Sequence, residues 1–464
     1  MLFIDQKAHP PEKIAIADEI ISGMHLHRTL AFITYFGVIR GADLNVRLSF
    51  GHGSGLGISW QVPAGEDCST VQYGTERERL DQLIQSQKYC SLYKGDTFHH
   101  VFLSDLWHDS VYFYSVECSL EIGSFRTAPK PGRSKSFTMA VFADLGTVNG
   151  ESTLSALHDI HDEIAGHIFA GDIGYADDAF MHGQTYIKRT NEFLKAFSNS
   201  TKSVPVMVAP GNHEAEDHTP VCLLSPRCRA GFGNFTAYNC IWDMPSEGRR
   251  HSMWSSFNYG PVHFVMTNTE TDYSGAPLEP YGEVGFIPTG RFGQPGEYEK
   301  WLEADLSTAE NERDIRPWII VVGHRPITVL DDKSDPFKTP LNQNIIDLIS
   351  RHADAYVSGH VHYYARSIPK PASPFRAISI TVGGAGCDEW TERRIQDTRS
   401  GETEFAEYFG YGDEQTFGKL SFDIQRPDEL IFELIRSRDR KLIDRIVIPA
   451  RRQLSTESVV IASQ

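Results

Sequence analysis

Ile168-Phe169-Ala170-Gly171-Asp172-Ile173-Gly174-Tyr175 reads as a short buried strand that stops in a carboxylate and, three residues on, a phenol. A carboxylate at the tip of a buried strand can bridge two metal ions. A phenol beside it can bind one of them as phenolate, a ligand suited to a hard trivalent ion such as Fe(III). Alone, Gly-Asp-x-x-Tyr is equally well a tight turn with a surface tyrosine, so its neighbours along the chain decide.

Four other apolar runs end the same way. Phe142-Ala143 leads to Asp144-Leu-Gly146, Val208-Ala-Pro to Gly211-Asn212-His213-Glu214, Val321-Val-Gly to His324, and Val357-Ser to Gly359-His360-Val-His362. In open α/β sheets, sites form beyond the carboxyl ends of the strands, where such loops converge. The glycines let the backbone turn sharply, so that side chains face inward. Seven donors result. Asp144, Tyr175, His362 and a shared Asp172 make a hard, anionic set fit for a trivalent ion. Asn212, His324, His360 and Asp172 make a softer, more neutral set fit for Zn(II), Mn(II) or Fe(II). Two ions roughly 3.5–4 Å apart clamp a phosphoryl group and lower the pKa of bound water. Singly, each residue has an ordinary reading as a cap or turn. Five strand ends of one domain all carrying such donors do not.

The rest of the chain bounds this reading. Its 464 residues are too many for one ordinary domain. A formal charge of −17 argues against a basic nucleic-acid or anionic-membrane binder, though not against an anionic substrate, since bound cations reverse the local field. No apolar run reaches the roughly 18 residues of a membrane span. Seven cysteines include no Cys-x-x-Cys pair, which argues against a thiolate zinc site. Cys222 and Cys228 flank a short loop that a disulfide could close, and the odd count leaves one thiol over. Asn199-Ser-Thr and Asn234-Phe-Thr are glycosylation sequons. The N-terminus itself lacks a signal peptide, but Leu30–Ile39 after His27-Arg28 has the length of a signal-peptide apolar segment.

Residues 1–128 read as a small β-sandwich, with strands at Ile14–Ala17, Gly57–Val62, Thr70–Tyr73, His99–Leu103 and Val111–Glu117, and an insertion near 18–50. Ala128-Pro-Lys-Pro-Gly-Arg-Ser134 is a linker, with 129–134 separating the halves. From 135 to 464 short apolar runs alternate with helical segments, among them Thr153–Ile164 and Ala179–Phe197, as in a layered α/β domain.

Together the blocks Asp144-x-Gly146, Gly171-Asp-x-x-Tyr175, Gly211-Asn-His-Glu214, Val321-x-x-His324 and Gly359-His-x-His362 resemble, in order, those of purple acid phosphatases. Asn258–Val265 and Thr269-Glu-Thr-Asp272 strengthen the likeness, and 10–128 resembles the fibronectin-III-like domain of the larger members. The two-metal phosphoesterase superfamily shares most blocks; Tyr175 marks the purple branch. The resemblance implies an α/β architecture in which an αββα sandwich follows the β-sandwich, and an Fe(III) ion paired with Zn, Mn or Fe. It also implies hydrolysis of small phosphate monoesters at acid pH by attack of a metal-bound hydroxide, in a glycosylated, secreted or lysosomal protein. A homodimer is compatible with it. One departure stands out: Arg325-Pro-Ile-Thr-Val-Leu-Asp-Asp332, directly after His324, holds no histidine where plant members often carry more, so phosphate binding and proton donation would rest on Asn212, His213 and Arg325, or on His263. The rivals are a two-metal phosphodiesterase or nucleotide pyrophosphatase, and a non-catalytic binding protein.

Overall fold

The computed structural model describes residues 44–450, apart from 87, 93–94, 216–223, 227–232, 247–248, 250, 277–290, 328–342, 370–374, 390–404 and 413. The expected strand at 14–17, the apolar run at 30–39, most of the stretch 18–50, Cys222 and Cys228 lie outside these residues. The end of that stretch is not part of an insertion. Arg47–Phe50 forms strand β1, which pairs antiparallel with β2 (Leu56–Val62), Leu48 facing Ile58. Its four residues are all buried, so they carry no in-out alternation to read.

In the first sheet the order is β1-β2-β6-β5, with β6 at Thr97–Leu103 and β5 at Lys88–Ser91. In the second it is β4-β3-β7-β8, with β4 at Gln82–Gln85, β3 at Thr70–Gly74, β7 at Val111–Val116 and β8 at Gly123–Arg126. Ile58, Trp60, Val71, Tyr114, Val116 and Phe125 interdigitate in one core, as stacked antiparallel sheets require. The disulfide Cys68–Cys118 closes it beside the Val71–Val116 pair.

After the linker two larger sheets pack face to face. One has the order β11-β10-β9-β19-β20-β21. Its parallel part is β9 (Phe137–Phe142), β10 (Gly166–Phe169) and β11 (Val206–Val208). Its antiparallel part is β19 (Thr416–Phe422), β20 (Glu429–Arg436) and β21 (Leu442–Pro449). The other has the order β12-β13-β14-β15-β17-β16-β18. Its strands β13 (Val262–Met266), β14 (Trp318–Val322), β15 (Ala355–Ser358) and β17 (Ile378–Val382) are parallel. Strand β12 (Ser255–Tyr259) at one edge, and β16 (Tyr364–Pro369) followed by β18 (Phe405–Tyr411) at the other, pair antiparallel with their neighbours. Contacts across the sheets include Phe137–Tyr259 at 4.9 Å and the Trp318 indole N–H donating to Ile448 O at 2.9 Å.

Helices 151–159 and 186–201 cover the first sheet, where Phe193 and Phe197 meet Phe142 and Phe169. Helices 297–311 and 343–352 belong to the second, giving the αββα order. The helix expected at 179–197 is broken. A 3-10 turn at Ala179–His182 ends at Gly183 in the left-handed region, and Thr185 caps a new helix by accepting from Lys188 N. Glycine and cap together outweigh the continuous apolar pattern.

The sandwich is bolted to the larger unit at residues 240–243. Arg47 donates to Ile241 O at 3.0 Å, Lys88 pairs with Asp243, and Cys90 is disulfide-bonded to Cys240. His100 lies in the same seam, with Nδ1 2.8 Å from Ser59 Oγ and Nε2 3.0 Å from Cys240 O. Burial pulls its pKa down to about 4. The unfolded chain therefore binds this proton first as the pH falls. Above pH 6.5 the group is neutral in both states and costs nothing. Between about pH 6.5 and 4 it removes about 1.4 kcal/mol of stability per pH unit. His100→Gln should flatten that acid-side slope of stability by roughly one proton, measured by denaturant melts between pH 7 and 4.5; an unchanged slope would contradict this.

Candidate metal centre

Parallel strands β9, β10, β11, β14 and β15 all deliver side chains at their carboxyl ends, and the two sheets place those ends at one rim. Asp144, Asp172, Tyr175 and His360 have φ of 58°, 57°, 50° and 73°. Left-handed conformations cost a non-glycine residue about 1–3 kcal/mol and persist where the surroundings enforce them. Here they aim four donors into one space. The glycines leave no room for anything larger. A Cβ on Gly211 would sit 2.3 Å from Asp172 Oδ1, and one on Gly359 2.4 Å from Asp144 Oδ2.

Tyr175 Oη lies 3.3 Å from Asp144 Oδ1 and 3.4 Å from His362 Nε2, and the last two are 3.5 Å apart. Donors each about 2.1 Å from one tetrahedral ion stand about 3.4 Å from one another. His360 N donates to both Asp144 oxygens, at 3.1 and 2.9 Å, fixing that carboxylate.

Beside this group His324 Nε2 lies 3.0 Å from both Asp172 Oδ2 and Asn212 Oδ1, and His360 Nδ1 is 2.9 Å from the same Asn212 oxygen. His324 Nδ1 faces Ala170 O at 2.8 Å, so it carries the proton and leaves the Nε2 lone pair pointing at acceptors. A cation, or a second proton, is what such a cluster of lone pairs accommodates. The electrostatics agree. Burial lowers the His324 pKa, but Asp172 and the other carboxylates overturn that and raise it to about 9. Burial pushes Asp144 well above the usual carboxylate range, with Asp172 adding to it. Burial also holds the Tyr175 phenol far above its ordinary value, reinforced by Cys387 and Asp144. Only a strongly charged cation would make that phenol a phenolate. The donor set fits a pair of ions: one oxygen-rich and anionic, the other built on two imidazoles and an amide.

His213 follows Asn212 on a 3-10 turn, and both are buried. Its Nδ1 is 2.8 Å from Asp177 Oδ2; its Nε2 is 3.3 Å from Glu389 Oε1 and 3.9 Å from Asp172 Oδ2. Burial opposes protonation, but Asp177, Asp172 and Glu389 outweigh it and raise the pKa well above the usual histidine value. Glu214 braces the whole edge by accepting from Gly211 N, Asp172 N and Ile173 N at 2.7, 3.0 and 2.7 Å.

Two expected residues are placed differently from the sequence reading. The Arg325 guanidinium is buried on Glu270, with Nε and one terminal nitrogen 2.9 and 2.8 Å from Oε2, and its other nitrogen 3.4 Å from His360 Nε2. It is held behind His360. His263 is bonded to Asn258 and Asp305 at 2.8 and 2.9 Å and turns away from the cluster, because it sits near the start of β13. The sequon residue Asn199 is exposed on helix 186–201 and Asn234 is half-buried.

Sequence reading missed the turn after β17. Cys387 and Glu389 reach the centre from it, Glu389 Oε2 lying 3.8 Å from His362 Nε2. The signal was there: Ile378–Val382 followed by Gly383-Gly-Ala-Gly386 is the same strand-then-glycine pattern. Asp177 was likewise passed over, two residues beyond Tyr175.

Comparison with known proteins matches residues 44–128 to the model described as purple acid phosphatase, N-terminal domain, and 137–364 to calcineurin-like phosphoesterase. Acid phosphatase A of Cryphonectria parasitica is 29% identical over 79% of this chain and 85% of its own. Purple acid phosphatase 18 of Arabidopsis thaliana is 27% identical over 80% and 77%, and acid phosphatase type 7 of Mus musculus 26% over 73% and 74%. Among solved structures, purple acid phosphatase PPD1 from yellow lupin seeds superposes with a TM-score of 0.66 at 19% identity, over 88% of this chain and 74% of that one.

Proposed function

The chain belongs to the purple acid phosphatase family of calcineurin-like phosphoesterases, and from that premise we propose that it hydrolyses small phosphate monoesters at acid pH at a pair of metal ions. The observation that supports this reading is that Asp144, Tyr175 and His362 close into one cluster and Asp172, Asn212, His324 and His360 into a second; Asp172 would be shared between them. Asp144, Asp172, Tyr175 and His362 would hold an Fe(III) ion; Asp172, Asn212, His324 and His360 would hold Zn, Mn or Fe as a divalent ion. When bound, the pair supplies a water of lowered pKa and neutralises charge on the phosphoryl oxygens.

The chain's own residues do the rest. Asp177 orients the His213 ring and keeps it doubly protonated, so Nε2–H can hydrogen-bond the phosphate or give its proton to the leaving alkoxide. The Asn212 amide faces the same space and contacts the substrate while ligating. Arg325, anchored on Glu270, sets the orientation of His360 rather than reaching the phosphate. No helix of the described residues is long and apolar enough to cross a membrane. Two disulfides support folding along an oxidising, secretory or lysosomal route, where Asn199 and Asn234 would carry glycans.

The metal-supplemented chain should cleave p-nitrophenyl phosphate faster than bis(p-nitrophenyl) phosphate at acid pH. Faster cleavage of the bis ester would assign it to the diesterases, and cleavage of neither would remove it from the enzymes.

A further inference from the structure

The turn after β17 brings sulfur to the oxygen-rich half of the centre. Cys387 is buried and is the free thiol among the described cysteines, the others there being paired in disulfides. Its Sγ, a ring nitrogen of His362 and a carboxylate oxygen of Glu389 all lie within 4.8 Å of one another. Glu389 N donates to the same sulfur at 3.2 Å, and the thiol faces Glu389 Oε2 at 3.9 Å. A sulfur that accepts from a backbone N–H beside an imidazole and a carboxylate has the surroundings of a ligand.

The position is also rigid. Neighbouring Asp388 is buried and accepts from Thr147 N, Val148 N and Asn149 N at 2.9, 2.7 and 2.9 Å. Arg189 stands 3.5 Å from it, and Asn149 Nδ2 donates to Cys387 O at 2.8 Å. Gly386 has φ of 117°, and a Cβ there would sit 2.6 Å from Asn149 O. The turn is thus locked to the loop that carries Asp144, and the sulfur keeps a fixed offset from that carboxylate.

We propose that Cys387 is a further protein donor to the ion held by Asp144, Asp172, Tyr175 and His362, giving that position a soft ligand among hard ones. A thiol bound to a cation loses its proton to solvent and stays as thiolate. The consequence is affinity for thiophilic divalent ions at a position whose other donors favour trivalent iron. This rests on the two-metal reading of the centre.

Cobalt(II) is the probe. The full chain is stripped of metal, reloaded with cobalt, and its cobalt content and near-ultraviolet absorption are measured for the native sequence and for C387S and C387A, with circular dichroism as the check on folding. The expected result is two cobalt ions per native chain and a sulfur-to-cobalt charge-transfer band that both variants lose. One of the two ions should also bind the variants more weakly, by at least the roughly 10–100-fold that weaker outer-shell losses cost. Two bound cobalt ions with no such band, or a band that survives in C387S, would overturn the assignment while leaving the two-metal reading intact. A native chain that binds fewer than two ions fails that reading itself.

Discussion

Asp172→Asn should leave a folded chain that holds no more than one tightly bound ion and turns over p-nitrophenyl phosphate about 1,000-fold or more slowly. The asparagine keeps the side chain's shape, so its oxygen can still accept from His213 N as Asp172 Oδ1 does at 3.0 Å. It replaces Oδ2, which faces His324 Nε2 at 3.0 Å, with an amide nitrogen whose lone pair is delocalised and not available to a metal. Each group then loses its shared anion. Apart from the proposed Cys387, the remaining donors, Asp144, Tyr175 and His362 on one side and Asn212, His324 and His360 on the other, number three apiece. Losing one preorganised electrostatic element in an active site costs about 100–1,000-fold, and here one change weakens both halves. Metal analysis beside the kinetics checks the cause: a slow variant that retains two ions would mean that Asp172 is not the bridge.

His213→Ala should behave in the opposite way, keeping both ions and losing turnover. His213 is not among the ligands in this account, and its imidazole contributes proton transfer and a hydrogen bond to the phosphate. General acid–base contributions of this kind are worth about 100- to 10,000-fold. Asp177→Asn should lose less, because the ring remains but is no longer oriented and charged by the carboxylate at 2.8 Å. The pair separates a chemical role from a structural one. A substrate with a good leaving group such as p-nitrophenolate needs little protonation, so both variants should lose more against an alkyl phosphate than against the aryl one. Equal losses on the two substrates would show that His213 acts by binding alone.

The parts of this centre that were legible in the chain are those where a buried strand stops at a glycine. A fully apolar run such as Trp318–Val322 has one reading, a strand covered on both faces, and the residues just beyond its end lie at the sheet's edge. Asp144, Asp172, Asn212, His324 and His360 were found that way, and the structure gathers them. Asp177, Cys387 and Glu389 were not, since they act through loops whose direction depends on distant partners. The Cys387 turn is aimed by Asp388 contacts to residues 147–149, some 240 positions earlier, and no local pattern encodes that. The surroundings of Arg325 were hidden for a related reason. A cation after a ligand histidine invites a phosphate, but Glu270, at the end of a different strand, had already claimed it. The break at Gly183, by contrast, was readable and was outweighed by the apolar residues on either side of it.

The most direct test of the account is metal analysis with a visible spectrum of the purified native chain and of Tyr175→Phe. Two ions per native chain, one of them iron, with a visible absorption band whose phenolate-to-iron component is lost when the Tyr175 hydroxyl is removed, is the predicted result. A colourless native chain that holds fewer than two ions and still hydrolyses phosphate monoesters at full rate would contradict it.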